Sequence, residues 1–452
     1  MKALTSARTP TIISAFSLRP FKLASSRGSQ SSGSRRFIGS DCNNNKMALS
    51  IPTDQIPPGM KAVHVGAPFL SKTFDELSSF GSKKVFVLAN RSSAKYIEGD
   101  DTKFINILES KGMLAAPLCT SIGMGGGEEG LLQAANDAYA ADADVIVTVG
   151  GGAVQDAGKL IRLWLSTKGS SGDGSSATCT VAGLQAASNR DPMPPLPPQV
   201  AIPNSFAMAE ATHVAGLTTA AKTKSGAAHS SMLPTVIIYD PALSAGLPDW
   251  VRFGTALRGV EHAVGAMTHP KSNEDIRTRA LAGLTILDDN LKKLVKNPEC
   301  AETQSNIYVG GFMTIRALNT GCYPALAHLI ENHYSARFSV HQGSCSGILC
   351  GRIMDYHCED SKDYQKRISV VLGDGDVSAA RLVTDLVAML PAVRHEHAEA
   401  KVTDEMLKEF TQWMADNHLA RLNSLSPKKF GGADDIYGML TKPLEELGSN
   451  ID

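Results

Sequence analysis

The hydrophobic positions change period along the chain. In the first half, short apolar runs at Lys84–Asn90, Val145–Val149, Val200–Ile202 and Val236–Tyr239 read as buried strands. Val63-His64-Val65 opens the folded part, and a further strand is expected near Leu114–Leu118. Helical patterns lie between these runs: from near Ser92, through Gly130–Tyr139, and after Gly152, where Val154, Ala157, Ile161 and Trp164 recur at helical spacing. Strands alternating with helices predict a parallel, doubly wound, Rossmann-like sheet. After Pro248 the strand signals fade, and long amphipathic patterns such as Ile276–Leu294 and Arg381–Leu390 predict an all-α second half. The expected organisation is an α/β domain over 47–245, interrupted by a flexible Gly/Ser/Pro-rich insertion at 166–198, and a helical domain over 246–452. A ligand cleft is expected between the two.

One stretch carries the first chemical signal. The strand at Val145–Val149 runs into Gly150, Gly151 and Gly152 and then into a helix. Glycines let a backbone approach a ligand without a Cβ in the way. The helix start offers unpaired N–H groups and a positive dipole end, which suit a pyrophosphate. A tight strand-to-helix turn without a ligand would look the same on this stretch alone.

Composition narrows the class. Among 452 residues, 44 Lys and Arg face 45 Asp and Glu, so no global field draws nucleic acid or a membrane surface. No apolar run approaches the roughly 20 residues that span a bilayer. The eight cysteines include no CxxC pair and read as thiols of a reducing compartment. Cys345, Cys350 and Cys358 lie near His341 and His357, but their spacing matches no standard zinc pattern. Residues 1–46 are basic, serine-rich and poor in acids, the composition of a mitochondrial transit peptide. Translation from Met47 would instead leave a cytoplasmic protein.

Four stretches in consistent order resemble the iron-containing alcohol dehydrogenase superfamily, and most closely its maleylacetate reductase branch. They are Gly150-Gly151-Gly152-Ala153 through Asp156 and Lys159; Pro203-Asn204-Ser205 through Glu210; Lys224, Pro234 and Val236 through Asp240-Pro241; and Arg258-Gly259-Val260-Glu261-His262. The resemblance implies a dehydroquinate synthase-like fold, a sheet domain followed by a helical one, and NAD(P)H across the cleft. Its diphosphate would lie on Gly150, Gly151 and Gly152 with Asp156 in the same motif, and its nicotinamide near Asn204, Ser205 and Lys224. Asn90 stands where NAD-preferring members carry Asp for the ribose hydroxyls. Its lack of charge, with Arg91 beside it, implies acceptance of NADPH. A role for Asn90 and Arg91 as helix caps alone is the alternative. The resemblance also implies a homodimer acting on a small molecule.

The departures from the family pattern concern its metal. The Asp of the one-Asp, three-His ligand set is replaced by Arg258, and the second His falls on Pro324, which leaves His262 and His341 as residual ligand positions. A guanidinium beside two imidazoles is a poor site for a divalent ion, so iron or zinc is not expected, although Glu261 or His328 could rebuild a site. Arg258 then becomes the candidate for stabilising an oxyanion or clamping a carboxylate, with His328 as proton donor and His262 assisting. The plainer readings are satisfied interior histidines, and an Arg258 paired with Glu261 or another buried acid. His213, His229 and His269 lack partner spacing and read as surface or cleft-wall residues, and the Arg394–His397 run, which resembles a metal pair but follows a proline and matches no family site, reads as a solvated face. The chain thus reads as a metal-independent NAD(P)H-dependent reductase of a carbonyl or conjugated oxo-acid. The alternatives are a same-fold cyclase, dehydratase or isomerase, or an inactive binding scaffold.

Overall fold

The computed structural model describes residues 50–448, apart from 52, 124–125, 168–177, 374, 391–392 and 394–400. The transit-like segment and the Arg394–His397 run therefore lie outside the described residues. Within them, the apolar runs form β1 (Ala62–Val65), β2 (Val85–Ala89), β3 (Val145–Gly150), β4 (Gln199–Pro203) and β7 (Val236–Tyr239). All pair in parallel in the order β1-β7-β4-β3-β2. Every residue of β2, β3, β4 and β7 is buried. That explains why they read as continuous apolar runs rather than alternating ones.

Helices cover both faces. Leu77 of α1 (Phe69–Phe80), Ile97 of α2 (Arg91–Ile97) and Phe104 and Leu108 of α3 (Phe104–Ser110) pack on Val85, Val87, Val147 and Val149. On the opposite face, α4 (Glu128–Ala140) and α5 (Gly152–Leu165) pack on Phe86, Leu88 and Ile146. The expected doubly wound sheet is thus present. After α6 (Val181–Ser188), the strand pair below and α7 (Pro241–Ala245), the rest is helical. It comprises α8 (Asp249–Thr268), α9 (Glu274–Lys296), α10 (Ala301–Asn319), α11 (Leu326–Phe338), α12 (Gln342–Tyr356), α13 (Lys362–Leu372), α14 (Ala379–Met389), α15 (Asp404–Leu425) and α16 (Ala433–Thr441). α8 runs through the middle, buried from Arg252 to Thr268, and its core joins Ala201, Ile237 and Tyr239 of the sheet.

Three expectations need correction. The segment at 113–119 runs beside β2 but touches it in ladder fashion only at Leu114 and Cys119. Pro117 has no N–H to donate, so a continuous edge strand cannot form there. The insertion at 166–198 is not all loop: α6 lies within it, its start capped by Thr180, whose hydroxyl accepts from Gly183 N–H at 3.0 Å. A two-stranded antiparallel hairpin, β5 (Val214–Thr218) and β6 (Lys224–Ala228), went unpredicted. Its small residues carry little strand propensity and no apolar alternation. Among the described residues, no helix is long and apolar enough to cross a membrane.

Candidate active site

The glycine turn sits at the carboxyl ends of the parallel strands, where such sheets bind ligands. Gly150 has φ +155°, and a Cβ there would stand 2.6 Å from Asn90 Oδ1, so only glycine fits. No side chain caps α5, whose Ncap is Gly151, so its first N–H groups are left for a ligand.

Polar residues from three strand ends are tied together around this turn. Asn90 Nδ2 donates to Ser92 Oγ at 2.6 Å, and Asn90 Oδ1 accepts from the Ser93 hydroxyl. Asn204 Nδ2 donates to Ser93 Oγ at 2.9 Å, and Asn204 N–H to Gly150 O at 3.2 Å. Asn90 is the N-cap residue of α2, and its side chain bonds the first-turn hydroxyls of Ser92 and Ser93 rather than a backbone N–H. Ser205 lies within 3.4 Å of where a Gly151 Cβ would be. Arg91 is exposed and lines an open groove of about 740 Å³ with Cys119, Ser121 and Gln133.

Asp156 and Lys159 serve the framework. Asp156 accepts Gly216 N–H at 3.0 Å and pairs with Lys159 at 2.7 Å. Lys159 is fully buried and donates to Ala209 O at 2.9 Å, to Thr212 Oγ1 at 3.2 Å and to Val214 O. One ammonium thus pins the turn that carries Glu210. Burial pushes Glu210 up to about 7 even though it accepts from Tyr239 Oη at 2.9 Å. Lys224, the first residue of β6, donates to Thr218 Oγ1 at 3.0 Å, and burial lowers its pKa.

The loop after β4 joins the sheet to α8: Phe206 N–H donates to Thr255 Oγ1 at 3.1 Å. One turn further along α8, Arg258, Glu261 and His262 share a face, and His328 and Glu331 of α11 meet them. Arg258 Nη1 donates to Glu331 Oε1 at 2.6 Å, and Nη2 stands 3.3 Å from His328 Nδ1. Tyr323 Oη lies 2.9 Å from His328 Nε2. Burial raises Glu261 to about 7, raises Glu331 as well, lowers His328 to about 4 and lowers His262 further, so both imidazoles are neutral at pH 7. Of the sequence alternatives for Arg258, the structure selects a buried acid, and it is Glu331. Neither Glu331 nor Tyr323 was singled out from the sequence. The signals that could have found them are a Glu one helical turn after His328 and a Tyr beside Pro324.

Glu261, His262 and His328 each offer a ligand atom, all within 4.8 Å of one another, the arrangement among the described residues most like a metal site. Both ring nitrogens of His262 and Glu261 Oε1 lack a hydrogen-bond partner. His328, however, has Tyr323 on Nε2 and the Arg258 guanidinium on Nδ1. A divalent ion held by all three residues would have to displace one of these partners of His328 and sit beside the Arg258 guanidinium. His341 stays outside this group, its ring edge-on to Trp250 at 5.2 Å. The group thus contains one of the two residual ligand positions, His262, and not the other. Among the described residues, Cys345, Cys350 and Cys358 form no metal-capable cluster with His341 and His357.

The iron-containing alcohol dehydrogenase family matches residues 61–241. Maleylacetate reductase 1 of Cupriavidus pinatubonensis is 23% identical over 53% of this chain and 58% of its own length. The maleylacetate reductase of Burkholderia cepacia is 24% identical over 71% of this chain and 80% of its own. The crystal structure of a Rhizobium maleylacetate reductase superposes with a TM-score of 0.65 at 18% identity, covering 89% of this chain and 98% of that one. The chain spans little more than half the length of the first curated relatives it matches. With the family's match over its sheet domain, the same sheet and helical fold and maleylacetate reductases among its relatives, this chain is similar to the iron-containing alcohol dehydrogenase superfamily.

Proposed function

We propose that this protein is an NAD(P)H-dependent, metal-independent reductase of a small carbonyl compound, in the class of oxo-acids to which the maleylacetate reductases point. The observation that carries this reading is the convergence of an uncapped glycine turn with Asn90, Ser93 and Asn204 at the strand ends, bonded through Phe206 and Thr255 to the helix that bears Arg258 and His262. The backbone at Gly151 and Gly152 would hold the diphosphate, Asn90 the ribose, and Asn204, Ser205 and Lys224 the nicotinamide end. When bound, the cofactor supplies a hydride.

On the helical side, Arg258 is half neutralised by Glu331, so it positions His328 more than it confronts a developing oxyanion. His262, buried with both nitrogens unpartnered, is the group left to bond a polar atom of the substrate.

Asn90 places no carboxylate against a 2′-phosphate, and exposed Arg91 can pair with one. Fluorescence titration should therefore give a Kd for NADPH equal to or below that for NADH. A tenfold or greater preference for NADH counts against this assignment, and binding of neither cofactor sinks the reductase reading. Elemental analysis of purified protein should find no stoichiometric metal; one iron or zinc per chain would overturn the metal-independent part. Binding of NADPH without its oxidation by any oxo-acid would favour a non-redox enzyme of the same fold.

A further inference from the structure

Tyr323 ends a hydrogen-bonded chain that begins at Glu331 and passes through Arg258 and His328. It is its most exposed member: Glu331, Arg258 and His328 are closed off from solvent, while Tyr323 is half-buried. Asp156, just beyond the glycine turn, acts electrostatically on both Tyr323 and His328, and Lys224 acts on His328. The helix that bears His328, α11, also packs on β6, whose first residue is Lys224.

The tautomer of His328 decides what this phenol can do. A guanidinium has only donors, so Arg258 Nη2, 3.3 Å from Nδ1, favours a lone pair there. Two carboxylates pull the other way, Glu331 Oε1 at 3.2 Å and Glu261 Oε2 at 3.4 Å. Glu331 is already engaged, however, by Arg258 at 2.6 Å on one oxygen and by Ser346 Oγ at 2.5 Å on the other. Glu261 sits at the outer limit of a hydrogen bond. With the proton on Nε2, His328 donates to the Tyr323 oxygen at 2.9 Å, and the phenol O–H is then available to a substrate.

We propose that Tyr323 is a catalytic residue of the reduction, its O–H protonating the substrate's carbonyl oxygen while His328 Nε2–H, in the tautomer set by Arg258, steadies the phenolate that results. The inference rests on the reductase reading. In the balanced step, the carbonyl carbon gains the hydride of NAD(P)H, which leaves as NAD(P)⁺. The carbonyl oxygen takes the Tyr323 proton, and C=O becomes H–C–O–H. The phenolate recovers a proton from water when the alcohol departs. A phenol is protonated at neutral pH before the step, and the bond from His328 offsets the cost of its ionisation.

The test is Tyr323→Phe, which keeps the ring and removes the oxygen. General-acid catalysis contributes about 10²–10⁴-fold, so kcat for NADPH-dependent reduction of an oxo-acid should fall by that factor while Kd for NADPH holds. In the cofactor-free protein, ¹⁵N-histidine NMR should show His328 protonated on Nε2, with the signal displaced in the variant. A normal solvent deuterium isotope effect on wild-type kcat needs no variant. A wild type that turns over no NADPH overturns the reductase reading and this inference with it. Wild-type turnover with an unimpaired Tyr323→Phe, an absent isotope effect, or a proton found on Nδ1 overturns this inference alone.

Discussion

Arg258 and Glu331 are tolerable in the interior only as a pair. Each is nearly inaccessible, and the ion pair at 2.6 Å is what offsets their desolvation. Truncating one partner leaves the other charge uncompensated, a loss of about 3–5 kcal/mol, whereas replacing both with apolar residues of like volume is often neutral. Glu331→Ala should therefore shift the urea midpoint sharply downward, and the double variant Arg258→Met, Glu331→Leu should recover most of the loss. A single variant within experimental error of wild type would mean that solvent already reaches the pair. The sequence offered a buried acid as one of two readings of Arg258, beside an oxyanion or carboxylate. It did not show which acid, because Glu331 lies 73 residues away and no local pattern links the two.

At the scale of elements, the close seat of α5 on the sheet rests on Gly158. A Cβ there would stand 2.4 Å from Thr148 Cγ2 and 2.6 Å from Gln199 Nε2. Helix propensity alone would favour Ala over Gly by about 1 kcal/mol. Overpacking a dense interface costs about 1–3 kcal/mol, and the contact is far too short to absorb, so Gly158→Ala should destabilise on balance. Thermal melts would show a lowered Tm; a raised one would mean that α5 can lift off the sheet without penalty. The buried strands and the long helices were legible because four of the strands are buried throughout and mostly apolar, and the helices hold their period over several turns. The β5–β6 hairpin was not, since Gly216, Gly226 and their small neighbours pack against α5 and α6 without an apolar stripe of their own.

For the whole molecule, buried ionisable groups set the pH window of stability. Burial lowers His269, His328, His333, His341 and His357 to about 4. Their contribution is present above the unfolded histidine value of about 6.5 and is lost as pH falls toward 4. Glu210 and Glu261, raised to about 7, act in the opposite sense: their contribution is present below about 4.5 and is lost as pH rises through 7. The histidines outnumber the carboxyls, so stability should climb from pH 4.5 to 6.5 and then ease slightly toward 7.5. Urea midpoints taken across that range would check it, and a maximum below pH 5.5 would contradict the sign. On its own, the sequence determined the parallel sheet, the helical second half and the glycine turn, all of which are written in local periodicity or in single positions. Only the tertiary structure decided that Arg258 is spent on Glu331, that Glu261, His262 and His328 converge, and that Tyr323 reaches His328. Such pairings depend on how α8 and α11 cross, and hydrophobic period fixes which face of a helix is buried but not which residue it meets there.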